Sequence, residues 1–158
     1  MRKSIFSMLV VLGLTLVFAF GASAQTSRKS VSAAEVNGTF RMNFQGKFRK
    51  FSNEVKILAR GGGKIRIAFD LVYPYTMRNG EPMVNMGGLD GEAAIDADVA
   101  KYTSEDGKCT ITIKFVKAGT IKVIQDGTDG ECGFGHNVMA GGTYTKVSSK
   151  KPTFEEKN

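Results

Sequence analysis

The sequence of 158 residues has no tryptophan, three prolines, two cysteines and one histidine. A metal site would need more ligands than two thiols and one imidazole can supply. No C-x-x-C or G-x-S-x-G motif occurs, so His136, the one candidate general base, has no predicted catalytic partner. We therefore predict a non-enzymatic protein with no catalytic residue, no metal site and no cofactor.

Charge of one sign is nowhere concentrated, although the chain is basic overall. It has 22 basic and 15 acidic residues, a net charge of +7, and no run of five like charges. The densest basic segments are Arg28-Lys29, Lys47 to Lys50 and Lys150-Lys151. With no nucleic-acid-binding motif, we predict no nucleic-acid partner, and a weak attraction to anionic surfaces such as lipid headgroups or wall polymers.

The one long hydrophobic run lies at the start of the chain. Arg2 and Lys3 precede an almost entirely apolar stretch from Ile5 to Phe20, and Ala22-Ser23-Ala24 follows it. This pattern predicts a secretory signal peptide, residues 1–24, cut before Gln25. An uncleaved anchor is the alternative, but the run is shorter than the ~20 residues of a membrane-spanning helix. We predict a secreted or periplasmic protein with no transmembrane segment after leader removal.

The remaining 134 residues (158 minus 24) are enough for one domain with its own core. Residues 25–34 are small and polar without periodicity, which is typical of a flexible arm. Residues 149–158 form a polar tail interrupted by Pro152. The domain itself is predicted to span residues 35–148.

Apolar and polar residues alternate through most of that domain, as in half-buried β-strands. Gly61-Gly62-Gly63 and Lys117-Ala118-Gly119 are typical of hairpin turns. We predict an all-β fold, an antiparallel up-and-down barrel of seven to eight strands, with a β-sandwich as the alternative. Large inward side chains, Tyr73 among them, favour a filled interior over a ligand cup. The predicted strands are 36–44, 53–60, 64–75, a short edge strand 83–86, 91–99, 109–116, 120–125 and 136–147, the last bent at Gly141-Gly142.

Two features near the last strand concern covalent and metal chemistry. Cys109 and Cys132 are an even pair in a predicted exported chain, so we predict a disulfide. It would close a loop of 24 residues, counted from 109 to 132 inclusive, and contribute about 3 kcal/mol. Asp126-Gly-Thr-Asp-Gly-Glu131 resembles a calcium loop, but its acidic residues do not match the ligand spacing. We interpret it as a solvated turn.

Three segments of the chain carry a family resemblance: residues 37–40 (N-G-T-F), 109–116 (C-T-I-T-I-K-F-V) and 132–148 (C-G-F-G-H-N-V-M-A-G-G-T-Y-T-K-V-S). They resemble a group of small exported bacterial β-barrel proteins of unknown function. The resemblance covers most of the mature chain and implies the fold, without an activity.

A second resemblance concerns Ala140 to Tyr144. This A-G-G-T-Y segment has the spacing of the S-G-x-x-Y loop of periplasmic lysozyme inhibitors, which are disulfide-stapled β-barrels. Ala140 stands where that family has serine. The resemblance implies an interaction loop that includes Gly141, Gly142, Tyr144 and Lys146.

The sequence thus predicts an exported binding or envelope protein. Its working surface would be the loop-rich end formed by residues 76–90 and 126–142. The partner would be a protein, a glycan or an anionic envelope component. A lysozyme inhibitor acting through Tyr144 and Lys146, and a small-ligand carrier of the lipocalin kind, are the alternatives.

Overall fold

The computed structural model describes residues 30–154. The predicted signal peptide, residues 1–24, lies outside this range, as do residues 25–29 of the predicted flexible arm and residues 155–158 of the tail. No helix within residues 30–154 is long and apolar enough to cross a membrane.

Eight antiparallel strands form one closed barrel in which each strand pairs with the next and β8 pairs with β1. The prediction of a barrel is therefore confirmed, and the sandwich alternative is wrong. A helix, α1, precedes the barrel, and a 3₁₀ turn lies between β1 and β2. The elements are α1 Ala33–Val36, β1 Gly38–Asn43, the 3₁₀ turn Gly46–Phe48, β2 Ser52–Gly61, β3 Lys64–Thr76, β4 Pro82–Asp96, β5 Val99–Thr103, β6 Thr110–Lys117, β7 Thr120–Asp126 and β8 Gly142–Ser148.

The core lies inside the barrel, because alternate residues of each strand point inward. Phe40, Phe69 and Tyr144 are its largest buried side chains, and isoleucines from β2, β3, β6 and β7 pack between them. The Phe40 and Phe115 rings meet edge to face with centroids 6.4 Å apart. This dense packing of described side chains supports a filled interior rather than a ligand cup.

Strand β4 is longer than the sequence indicates. We predicted an irregular segment with a short edge strand over 83–86, but β4 runs without interruption from Pro82 to Asp96. Gly87 and Gly88, which as neighbouring glycines favour a turn or a loop, pair with Leu71 and Asp70 of β3. Gly87 is needed for packing, because a Cβ there would lie 3.0 Å from side-chain atoms of Phe134 and Val138.

The predicted strand 91–99 merges the end of β4 with the start of β5. β4 ends at Asp96, and β5, Val99–Thr103, was missed. The turn between them is made by Ala97 and Asp98, and Ala97 adopts a positive φ of 53°. No glycine or proline marks this turn, and Asp98 is its one conventional turn-forming residue.

Both ends of the predicted domain also differ from expectation. Helix α1 begins inside the segment 25–34 that we interpreted as a flexible arm, and Ser32 and Glu35 form a capping box at its N-terminus. In the tail, the Phe154 ring lies over the Arg66 guanidinium at 4.4 Å. Arg66 is itself paired with Asp90 across β3 and β4, so part of the tail packs on the barrel wall.

The connections divide the barrel into two unlike ends. At one end, which we call the closed end, the turns are short, at residues 62–63, 97–98 and 118–119. At the other, which we call the mouth, lie the longer connections 44–51, 77–81, 104–109 and 127–141. We call residues 127–141 the cap loop. This segment replaces the first half of the predicted strand 136–147, because β8 begins only at Gly142.

Candidate functional site

A disulfide between Cys109 and Cys132 anchors the cap loop at the mouth, as predicted. Its Cα atoms are 4.9 Å apart, and Cys109 lies immediately before β6. Gly127, where the loop leaves β7, has a φ of 114° and would place a Cβ 2.6 Å from the Lys108 carbonyl oxygen. Only glycine fits this close approach, so the loop entry is fixed by backbone geometry and by the disulfide together.

The acidic residues of the cap loop hold its own backbone. The Glu131 carboxylate accepts hydrogen bonds from the Thr128 amide at 2.7 Å and from the Thr128 hydroxyl at 3.0 Å. The Asp129 carboxylate accepts from the amides of Gly130 and Asn137. The amide of Asn137 holds the pKa of Asp129 below its ordinary value, and the amide of Thr128 does the same for Glu131. These two carboxylates therefore shape the turn.

The cap loop packs into the mouth of the barrel. Phe134, Val138 and Ala140 are buried against the core. Gly135 passes so close to β4 that a Cβ there would lie 2.3 Å from the Met86 carbonyl oxygen. The Asn85 side chain also donates a 2.7 Å hydrogen bond from Nδ2 to the His136 carbonyl, so the loop is fixed to β4 as well as to β6.

Three polar side chains under the cap loop form hydrogen bonds to backbone groups that are buried there. Asn53 is 2% exposed and accepts from the Val72 amide at 2.8 Å. The Tyr144 hydroxyl donates to the Ala140 carbonyl at 2.8 Å, and the Gln125 side chain accepts from the Ala140 amide at the same distance. Burial raises the pKa of Tyr144 far above its ordinary value. Tyr144 therefore acts as a neutral donor that holds the end of the cap loop.

The four residues of the predicted interaction loop lie mostly within a strand. Gly142, Tyr144 and Lys146 belong to β8, and only Gly141 is in the cap loop. Tyr144 is fully buried. The structure does not bring these residues together as one exposed loop, so their interaction role stays a prediction.

Lys146 lies towards the closed end, where it caps helix α1. Its ammonium donates to the carbonyls of Ala34, Glu35 and Asn37 at 2.8 to 2.9 Å. It also lies 5.0 Å from the centroid of the Phe40 ring. Partial burial lowers the pKa of Lys146. The ammonium thus satisfies the last carbonyls of the helix, which have no partner within the helix.

His136 is 82% exposed, and its Nδ1 atom lies 3.9 Å from the Asp129 carboxylate. That carboxylate already accepts hydrogen bonds from two backbone amides of the cap loop. Within residues 30–154, no group of three or more His, Cys, Asp and Glu side chains could hold a metal ion.

The exposed apolar side chains gather at the mouth. Eight large apolar side chains of the described residues are at least 40% exposed, and five of them lie at this end. Such a concentration marks interaction surfaces in other proteins. The five are Tyr73, Met77, Met83, Met86 and Met139.

Four of these five side chains lie on the part of the β3–β4 hairpin that extends beyond the backbone pairing of β3 with β2. β3 pairs with β2 only as far as Asp70, and beyond that point it pairs with β4 alone. We call residues 72–86 the extension; its five residue pairs span about 17 Å at about 3.4 Å per residue. Tyr73, predicted to point inward, lies on this extension and is 40% exposed.

The β1–β2 loop, residues 44–51, adds positive charge beside the extension. Lys47, Arg49 and Lys50 are exposed, and none forms a salt bridge within the part of the chain that the structure describes. Lys47 and Lys50 lie 5.0 and 5.1 Å from the centroids of the Phe48 and Phe51 rings. The loop therefore presents cations next to half-buried aromatic rings.

A shallow depression of about 270 Å³ lies on the barrel wall between the start of β2 and the base of the extension. It is lined by Ser52 and Glu54 of β2, by Asp70 of β3, and by Val72 and Met86 at the base of the extension. Met86 is 73% exposed. We call the extension, the β1–β2 loop and Met139 together the mouth surface.

The methionines of the mouth surface were not named from the sequence, although the predicted working surface 76–90 and 126–142 contains all four. The sequence pattern that could have identified them is the recurrence of Met in segments that also contain Asn, Gly and Pro, because these residues favour exposed turns. Comparison with protein-family models, with curated proteins and with solved structures finds no match for this chain. The geometry of the mouth therefore carries the functional argument.

Proposed function

We propose that this chain is an exported, non-enzymatic binding protein of the cell envelope and that the mouth surface is its binding surface. The observation that carries the proposal is the concentration of five exposed apolar side chains at the mouth. Tyr73 and Met83 lie on one face of the extension and Met86 on the other, and in other soluble proteins a large exposed apolar patch marks an interaction site.

The way the mouth is sealed supports this role. The cap loop fills the barrel opening with Phe134, Val138 and Ala140, so the apolar surface outside is not simply an unfinished core. The disulfide and the hydrogen bonds of Asp129 and Glu131 hold the loop in one conformation. A rigid scaffold that presents an exposed patch is typical of binding proteins.

The two alternatives are less well supported. A lysozyme inhibitor acting through Tyr144 and Lys146 needs their polar ends at a partner, yet Tyr144 is bonded to Ala140 and Lys146 to three carbonyls of the α1 region. A lipocalin-like carrier needs interior space, and the described inward side chains pack against one another.

Site-specific photocrosslinking in the producing cells tests the proposal. A photoreactive phenylalanine replaces Met83 in the extension or, as a matched control, Val116 on β6. These two strand residues are 44% and 47% exposed. We expect specific adducts with protein, glycan or lipid at position 83 and background labelling at position 116. Equal labelling at both positions, or none at 83, would contradict a binding role for the mouth.

A further inference from the structure

The mouth surface combines cations with exposed apolar side chains, and one class of partner can bind both. Lys47, Arg49 and Lys50 offer positive charge that no carboxylate of residues 30–154 neutralises by a salt bridge, and Met77 and Met83 offer exposed apolar side chains on the neighbouring hairpin. A soluble polyanion would need only the cations. A bilayer with anionic headgroups uses both, because cations bind the headgroups and apolar side chains enter the layer beneath them.

The shape of the extension fits this use. It is a two-stranded hairpin about 17 Å long with Met77 in its tip turn. Methionine is unbranched and flexible, so it adapts to an irregular surface such as the headgroup layer. At the tip, Glu81 accepts from its neighbour Asn79, and Arg78 lies in the same turn.

The acidic groups of the mouth lie mainly on its other side. Asp129 and Glu131 are in the cap loop, and Asp106 is in the β5–β6 turn, where it accepts from Ser104. On the β1–β4 side, Glu54, paired with Arg41 at 2.8 Å, and Asp70 line the depression, and Glu81 lies in the tip turn. The β1–β2 loop therefore keeps an excess of positive charge beside the extension.

We infer that the mouth surface docks on a bilayer containing anionic phospholipid, with Lys47, Arg49 and Lys50 on the headgroups and Met77 and Met83 in the interfacial layer. This inference rests on the proposed function, which makes the mouth the binding surface outside the cytoplasm. It adds the identity of the partner.

Vesicle co-sedimentation provides the test. Protein recovered from the envelope of cells expressing the full chain is mixed with vesicles of phosphatidylcholine, alone or with phosphatidylglycerol. We expect binding only to the mixed vesicles, and release at about 0.5 M salt, where screening shortens the range of the charge interaction to a few Å. All variants keep the same N-terminus, so differences between them report on the mouth.

Two pairs of variants locate the interaction. Substituting Gln for Lys47, Arg49 and Lys50 should weaken binding about 100-fold, because each cation near an anionic surface contributes about fivefold. The matched control substitutes Gln for Lys114, Lys117 and Lys122, three exposed cations of β6 and β7. The control removes the same charge from the opposite side of the barrel and should change binding less than about fivefold.

The apolar pair follows the same design. Met77→Gln with Met83→Gln should weaken binding by at least about tenfold, and Val116→Thr with Val147→Thr, exposed to a similar degree elsewhere, should have little effect. Circular dichroism and an intact disulfide show that each variant is folded.

Three results would overturn the inference. They are equal losses from the mouth and control variants, binding to phosphatidylcholine alone, and a dimer in sedimentation velocity that depends on Met77 and Met83 without vesicle binding. Photocrosslinks at position 83 to a protein or glycan, with no vesicle binding, would refute the lipid partner and leave the proposed function standing.

Discussion

The two ends of the barrel are closed by different means. At the closed end, short turns join the strands, and Lys146 binds three carbonyls at the end of helix α1. At the mouth, the cap loop crosses the opening, held by the disulfide and by carboxylates that accept its own amides. The closed end therefore depends on one charged donor, whereas the mouth depends on a disulfide and a network of hydrogen bonds.

The comparison shows how similar local motifs serve different purposes. A Ser/Thr-x-x-Glu box begins each segment, Ser32 with Glu35 at the closed end and Thr128 with Glu131 at the mouth. At the closed end the box starts a helix that covers the core with Val36. At the mouth it starts a turn that carries Cys132 to Cys109 and leaves an exposed apolar surface beside it.

Removing the disulfide, which acts only at the mouth, should change the free energy of unfolding the most. Cys109→Ala with Cys132→Ala is expected to lower the free energy of unfolding by about 3 kcal/mol, because the unfolded chain gains the freedom of the open loop. Denaturant unfolding measures the loss, with reduced wild-type protein as the control. A loss below about 1 kcal/mol would show that the cap loop is held without its covalent bond.

Lys146→Met tests the closed end. We expect a loss of about 2 kcal/mol, because carbonyls at the end of α1 lose a charged donor. Hydrogen exchange at the Val36 and Asn37 amides should become faster, while exchange in the cap loop stays the same. Lys122→Met, at an exposed position of β7, is the matched control. Equal destabilisation by both substitutions would contradict a specific capping role.

Tyr144→Phe is a smaller change, confined to the mouth. It removes the donor to the Ala140 carbonyl and leaves that buried acceptor unsatisfied, at a cost of about 1 to 2 kcal/mol. Tyr73→Phe, at an exposed site of the extension, should change stability very little. Thermal unfolding of the two variants measures the difference. Similar melting temperatures would show that the hydrogen bond of Tyr144 does not stabilise the mouth.

Lowering the pH should have the smallest effect of these changes. It should weaken the hydrogen bonds of the cap loop at the mouth before those of the closed end. The pKa values of Asp129 and Glu131 are lowered in the folded state, so their contribution is present above the ordinary carboxyl pKa of about 4 and is lost as pH falls through the folded values. The amide chemical shifts of Asn137 and Thr128 should therefore titrate below pH 4 or so. Titration at the ordinary value would mean that these hydrogen bonds do not favour the ionised carboxylates.

The sequence predicted those parts of the fold that depend on local pattern. Alternation located the cores of β1, β2, β3, β6 and β7, because a half-buried strand needs period two. The turn at Ala97 and Asp98 was missed because it uses no turn-forming glycine, and the two capping boxes were missed although their spacing is visible in the sequence.

The candidate site was predicted only as a region. Residues 76–90 and 126–142 include the extension's exposed methionines and the cap loop. However, the sequence could not show that β2 stops pairing with β3 at Asp70, or that Tyr73, beyond that point, is 40% exposed. Nor could it show that the cap loop fills the opening, because Gly87 and Phe134 are distant in sequence and meet only in the folded barrel.

The sequence by itself determined the all-β class, the antiparallel meander and the pairing of Cys109 with Cys132, while the choice between a barrel and a sandwich was decided by the structure. Alternation, hairpin turns and an even pair of cysteines are local or countable properties of the chain. Tertiary structure alone decided the roles of Tyr144 and Lys146, one a buried donor under the cap loop and the other the cap of a helix more than one hundred residues away. Those roles arise because closing the barrel brings β8 beside β1, and no local pattern encodes which distant carbonyl a side chain will meet.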